Sequence, residues 1–434
     1  MPSACIAAEY EWRQEAPDAR GPHFYTHVSE TTLTDARRVR VFVSYSVFAD
    51  QFTTDDPACS PVYTQLLAVD GKPVAREQPK PLALAGDRSE LWASVLEYRP
   101  SQAAVFVEGD TLFWTTTGDS VMLGLQDKKM FAVDLRTGAV TLIVADTPPR
   151  LFAMAHVTVP CFREAYDTER RRFPPRAVAF GGAVRYPTVA TVATTWAMAL
   201  RSPVRPHETM HVETLSCPTT GTAACPSARL YHAACAVRGT RMYVFGGAPD
   251  AKDTTADDPV FNDLWVFDLV GNVWREIKAP EGGHAAWPSP RGSVQMLFVD
   301  PHIYVVGGFN GASVVNDAWR LDVDAEEWEP LPMAPSGGET GGVHIGVAAY
   351  CAWYEAANSR LHFLGGGVAN PSTGGLDEVD YHASVSVPKP TLFGVVSRFV
   401  GERWPLFARD VRPLADAGVL RGSRRLQWLA SHLH

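Results

Sequence analysis

The stretch Pro226-Ser227-Ala228-Arg229, Met242-Tyr243-Val244-Phe245-Gly246-Gly247, Asn262-Asp263-Leu264-Trp265-Val266-Phe267-Asp268 and Trp274 is followed at once by a second copy of itself. The second copy reads Pro288-Ser289-Pro290-Arg291, Ile303-Tyr304-Val305-Val306-Gly307-Gly308, Asn316-Asp317-Ala318-Trp319-Arg320-Leu321-Asp322 and Trp328. Six residues separate Phe267 from Trp274, and six separate Leu321 from Trp328, so the copies agree in spacing.

Each apolar run is too short for a globular helix and rich in β-branched and aromatic residues, so it reads as a buried strand. The Gly pair ends that strand where neighbouring backbones approach closely and no Cβ fits. Asn-Asp is turn chemistry, because both side chains can hydrogen-bond nearby backbone. The Trp can cover the sheet face and pack against the next unit. Repeats of this length made of short strands predict an all-β chain, a six-bladed β-propeller. Its glycines and tryptophans read as architecture rather than chemistry.

Outward from the twin copies the pattern weakens. Tyr10-Glu11-Trp12-Arg13-Gln14 parallels Val273-Trp274-Arg275-Glu276-Ile277, and Pro17-Asp18-Ala19-Arg20 then mimics the opening of a good copy. An N-terminal strand over about 9–15 is therefore expected to complete the last blade and close the ring, which removes exposed sheet edges. Blades are expected over about 20–77, 88–146, 150–215, 229–277, 291–331 and 341–387. The first lacks a Gly pair; the third carries Gly181-Gly182 and the sixth Gly365-Gly366. After Pro388-Lys389-Pro390 the apolar positions Leu392, Val395, Val396, Phe399 and Val400 take helical spacing, so 389–434 is expected to be a helical tail outside the ring.

The doublet, the aromatic or apolar residue before Asp, and the Trp beyond it resemble the kelch family, with Phe267 and Leu321 where that family usually has Tyr. The resemblance implies a propeller of four-stranded blades.

Composition agrees with a turn-rich β chain: 434 residues with 34 Gly and 33 Pro. The first thirteen residues lack a basic-then-apolar leader, and no apolar run reaches membrane-spanning length. Seven cysteines lie scattered with no Cys-x-x-Cys pair. Cys217 and Cys225 could pair, but free thiols are the favoured reading, and a cytoplasmic or nuclear protein is expected. The net charge is −9, yet the last 46 residues carry eight Lys/Arg against three Asp/Glu. An acidic body with a basic tail argues against nucleic-acid binding by the body.

Arg20, Arg88, Arg150, Arg229 and Arg291 all fall near the start of an innermost strand. Placed near-symmetrically, they would ring one mouth of the channel with guanidinium groups suited to a carboxylate, and so to an acidic side chain or a peptide C-terminus. The competing reading is that each Arg pairs with a loop carboxylate. Tyr231 and Lys252, with Trp92 and Phe24, are further lining candidates. Histidines are dispersed without metal-ligand spacing, and no phosphate loop opens a helix. No cofactor, metal or catalytic group is therefore expected, and the chain reads as a binder of protein or peptide. An enzyme acting on a small acidic or sugar ligand and a plain scaffold remain alternatives.

Thr391, Leu392, Val396 and Val400 resemble the short helix by which kelch-domain substrate receptors of cullin-2 ubiquitin ligases dock on elongin C. That resemblance implies elongin B/C and cullin-2 as partners through the tail. The bland alternative is an amphipathic helix that caps the ring.

Overall fold

A computed structural model describes residues 11–14, 25–44, 60–75, 78–85, 105–115, 129–145, 151–152, 155–158, 177–184, 190–200, 209–215, 225–249, 260–269, 271–279, 286–332, 350–369, 376–378 and 382–390. Within them the chain is a six-bladed β-propeller. A short strand β1 (Trp12–Gln14) comes first. Blade one holds β2 (Tyr25–Thr32), β3 (Arg37–Ser44) and β4 (Val62–Val69). Its outer edge is two fragments, β5 (Lys72–Pro73) and β6 (Lys80–Pro81), which both pair with β4. Blade two is β7 (Val105–Glu108), β8 (Thr111–Thr115), β9 (Lys129–Asp134) and β10 (Val140–Ala145).

Blade three begins after β11 (Leu151–Phe152) with β12 (Ala155–Thr158) and β13 (Ala177–Phe180). It passes through β14 (Ala183–Val184) and β15 (Ala190–Thr191) to β16 (Thr195–Leu200) and β17 (Thr209–Leu215). Strands β11, β14 and β15 form a small sheet of their own. Blade four is β18 (Ala233–Val237), β19 (Arg241–Phe245), β20 (Leu264–Asp268) and β21 (Val273–Ile277). Blade five is β22 (Met296–Val299), β23 (His302–Val306), β24 (Ala318–Asp322) and β25 (Glu327–Pro330). Blade six takes β26 (Cys351–Glu355) and β27 (Arg360–Leu364), then a hairpin of β28 (Gly367–Ala369) with β29 (Leu376–Glu378), then β30 (His382–Ser386).

The ring closes as expected. Strand β1 pairs antiparallel with β30, Trp12 opposite Val385 and Gln14 opposite Ala383, and supplies the fourth strand of blade six. The innermost strands β2, β7, β12, β18, β22 and β26 neighbour one another around the full circle. One feature was not legible in the sequence: the outer strands of blades two and three pair in parallel, Val144 opposite Thr209, which joins the two blades into one eight-stranded sheet.

The core lies between blades. Phe180 of blade three packs with Trp265, Phe267 and Trp274 of blade four, and Phe245 of blade four packs with Leu321 and Trp328 of blade five. Both repeat tryptophans thus lie on the preceding blade; the Trp274 indole also donates to Thr195 Oγ1, 3.1 Å away. Burying such a ring removes enough apolar surface to be worth roughly 2–3 kcal/mol.

The Gly pairs have a definite physical cause. Gly246 and Gly247 hold φ of +68° and +94°, and a Cβ on Gly246 would lie 2.2 Å from the Arg291 carbonyl oxygen of the next blade. That oxygen instead accepts from Gly247 N–H at 2.9 Å. Gly181, Gly182 and Arg229 repeat the device one blade earlier, with Gly182 N–H donating at 2.8 Å. No helix among the described residues is long and apolar enough to cross a membrane. The expected tail helices lie outside the described residues.

Candidate functional site

Antiparallel bridges join Leu230 to Ala248 and Gly292 to Phe309, so the segment entering each inner strand lies beside the segment after the Gly pair. Together they form one mouth of the propeller. Its backbone is closely tied: Ser293 N–H donates to the Tyr231 carbonyl at 2.8 Å, and Phe261 N–H to the Gly247 carbonyl at 2.7 Å.

Arg229 and Arg291 do not serve that mouth as expected. Arg229 and Arg291 are each 0% exposed, and their side chains turn into their own blades. Arg229 Nη1 and Nη2 donate to the two carboxylate oxygens of Asp263 at 2.6 and 2.7 Å, Nη1 also to the Gly246 carbonyl, and Nε to the Ser227 carbonyl. Phe261 stacks beneath the guanidinium, 4.3 Å from its carbon. Arg291 repeats the set with both oxygens of Asp317, the carbonyls of Gly307 and Ser289, and Ser289 Oγ. A guanidinium has five N–H donors, so Arg291 has none left for a ligand. For Arg229 and Arg291, the reading in which the Arg pairs with a neighbouring carboxylate is the one found. The physical reason is that a buried charge must be paired and hydrogen-bonded, and the repeat supplies an Asp for it. Arg20, Arg88, Arg150 and Lys252 lie outside the described residues, as do Thr391, Leu392, Val396 and Val400.

Asp263 and Asp317 are structural residues that sequence reading took only as turn formers. Each also accepts from the indole two positions on, Trp265 Nε1 at 2.7 Å and Trp319 Nε1 at 2.9 Å. A signal existed: Pro-Ser-x-Arg and Asp-x-Trp recur together in both copies, as partners would.

Tyr231 does lie at the mouth. It is 38% exposed and has φ of +57°, a backbone conformation costly for a bulky residue. Ser293, at the equivalent place in blade five, shares it with φ of +52°. The turn thus demands the left-handed conformation, and at blade four it presents an aromatic ring there. Such strain persists where the surrounding structure over-determines it, and binding sites are where it collects.

The buried titratable groups beside the mouth are poor chemical agents. His232 is held neutral, its pKa lowered to about 3 chiefly by burial and then by the Arg229 charge. Burial pushes the thiols of Cys235 and Cys351 up, away from the thiolate that a nucleophile needs. Among the described residues no group of three or more His, Cys, Asp or Glu is arranged to hold a metal ion.

Ring closure, the Gly–Arg lock and the paired tryptophans define a kelch-type propeller, a class whose members generally bind protein ligands. Comparison with known proteins supports this: residues 176–367 match the KLHDC2/KLHL20/DRC7 Kelch-repeats domain, somewhat less than half of the chain. The chain is 26% identical over 94 residues to Kelch domain-containing protein 10 of Xenopus tropicalis, which covers 22% of each chain. The human protein of that name is equally similar over 22% of this chain and 20% of its own. Leucine-zipper-like transcriptional regulator 1 of Pongo abelii is 31% identical over 144 residues, 33% of this chain and 16% of that protein. The match thus spans about a fifth of the length of the kelch-domain relatives.

Proposed function

We propose that this propeller is a non-enzymatic binding protein that takes a protein or peptide segment at the mouth bearing Tyr231, and that it acts in the cytoplasm or nucleus as a substrate-recognition subunit of a cullin-RING ubiquitin ligase. Tyr231 carries the first part. An aromatic ring presented on a strained turn held by backbone hydrogen bonds is the kind of anchor that dominates interfaces.

The course of the chain supports the second part. Val387 N–H donates to the Ser359 carbonyl at 2.9 Å, at the turn between β26 and β27, so the chain leaves the ring on the face opposite the Gly pairs. A tail partner would then engage one face while the mouth on the other stays open to substrate. In this reading Thr391, Leu392, Val396 and Val400 hold elongin B/C and thereby cullin-2.

Affinity capture of the full chain from cells, quantified for elongins B and C, tests the proposal. Retention that disappears with Leu392→Glu is expected; absence of elongins from the intact protein overturns the ligase role. Loss of the remaining partners with Tyr231→Ala is the expected signature of mouth binding.

A further inference from the structure

All six seams between blades contain apolar side chains, and among the described residues the seam between blades six and one adds to them an arginine only 2% exposed, with Glu and His partners. Its apolar cluster is the smallest, made of Phe42 and Tyr63 from blade one and Cys351, Trp353 and Leu364 from blade six. The rest of the seam is charged. Arg40, 2% exposed, donates Nε and Nη2 to Glu30 Oε1 at 3.0 and 2.7 Å and Nη1 to Gln65 Oε1 at 3.1 Å; Nη1 also lies 3.6 Å from Glu355 Oε1 across the seam. Glu355 Oε2 lies 3.2 Å from His362 Nε2, and His362 Nδ1 lies 3.2 Å from His382 Nε2. Trp353 stacks on His362 with rings 8° from parallel, and the Arg40 guanidinium carbon lies 5.3 Å from the Trp353 ring centre.

This seam also has no unbroken chain through its core strands. The N-terminal end of the chain is tied to blade six by β1, three residues long, and by Arg360, which donates Nη2 to the Glu11 carbonyl at 2.9 Å; the bond from Arg360 Nε to Ser384 Oγ at 3.0 Å stays within blade six.

We propose that the ring is built to open at this one seam, by parting of the Arg40/Glu30 face of blade one from the Glu355/His362/His382 face of blade six. The apolar surface that resists opening is least here. The charged groups that opening exposes recover their hydration, which offsets much of what their pairing contributes. The other five seams then form a rigid block, and opening changes the width of the channel between β2 and β26 alone. Local opening of this kind follows the distribution of buried apolar contacts.

Native-state hydrogen exchange of the full chain, read by mass spectrometry, tests this. Segments 25–44 and 351–364 are expected to open together at least tenfold more often than 233–245 and 296–306, which flank the seam between blades four and five. Equal or rarer opening at 25–44 and 351–364 overturns the proposal. Two variants isolate the cause. A disulfide between Gln14→Cys and Ala383→Cys, which replace residues opposite each other, is expected to slow exchange at this seam tenfold and leave 233–245 unchanged; an unselective effect overturns the proposal. Replacing the polar set by Arg40→Met, Glu355→Leu and His362→Phe is expected to slow the same opening, and acceleration in a folded variant overturns the role given to polarity. Should that variant fail to fold, the disulfide arm decides.

Discussion

The Arg229 guanidinium meets the Asp263 carboxylate through two parallel hydrogen bonds of 2.6 and 2.7 Å inside blade four, and Arg291 meets Asp317 in the same way inside blade five. Each pair ties the start of an inner strand to the start of the third strand of the same blade. The Arg carbonyl meanwhile accepts from the previous blade's second glycine. One residue therefore braces its own blade with its side chain and its neighbour with its backbone.

Arg229→Ala and Arg291→Ala are expected to destabilise the fold by about 3–5 kcal/mol each, the usual effect of stranding one partner of a buried pair. Arg→Lys at either position should rescue little, because an ammonium cannot span both carboxylate oxygens and a carbonyl. Denaturant titration followed by tryptophan fluorescence measures this. Near-native stability of Arg291→Ala would show that the pair does not brace the blade.

Gly246→Ala and Gly71→Ala separate two physical reasons for a glycine within one chain. Both positions have positive φ, +68° and +74°. A Cβ at Gly71 meets open space, so only the left-handed cost of roughly 1–2 kcal/mol is expected. At Gly246 the collision with the Arg291 carbonyl should add about 1–3 kcal/mol of overpacking. Melting both variants beside wild type gives the comparison.

Replacing Tyr231 by Gly is expected to change stability by under about 1 kcal/mol, since relief of its backbone strain offsets the lost packing. Partner affinity should fall at least about tenfold if the ring is an anchor. Calorimetry with a captured partner, alongside melting, distinguishes a binding residue from a structural one.

His232 makes stability depend on pH. Its folded pKa is lowered to about 3, while an unfolded histidine titrates near 6.5. Between these values the unfolded chain binds more protons, so stability falls as pH drops below about 6.5, by about 1.4 kcal/mol per unit from this group. His232→Val, which copies the blade-five residue Val294, should flatten that acid limb, a difference of about 2 kcal/mol at pH 5 in urea midpoints taken across the range.

On the opposite face Arg238 donates Nε to Asp300 Oδ1 at 2.7 Å, and Nη1 and Nη2 to the Asp324 carboxylate. Asp300 is 7% exposed, whereas the Asp324 side chain is 60% exposed. Arg238→Ala should therefore cost roughly 2–3 kcal/mol by stranding a buried carboxylate. Asp324→Ala should cost under about 1 kcal/mol, as exposed ion pairs contribute little. Chemical denaturation of the two variants under one buffer is the check.

The amino-acid sequence by itself determined the blade: strand, Gly pair, Asp and Trp recur at fixed spacing in the twin copies, and Trp12-Arg13-Gln14 announced the closing strand. These signals are local, because β pairing has a period of two and a close backbone approach excludes every residue with a Cβ. Only the tertiary structure decided what Arg229 and Arg291 do, since Arg229 lies 34 residues from Asp263 and Arg291 lies 26 from Asp317. Their burial, not their residue type, made these two supposed ligand residues into braces. The polar seam was equally hidden. Arg40 and Glu355 lie 315 residues apart in the chain, in the first and last blades, and ring closure alone brings them together.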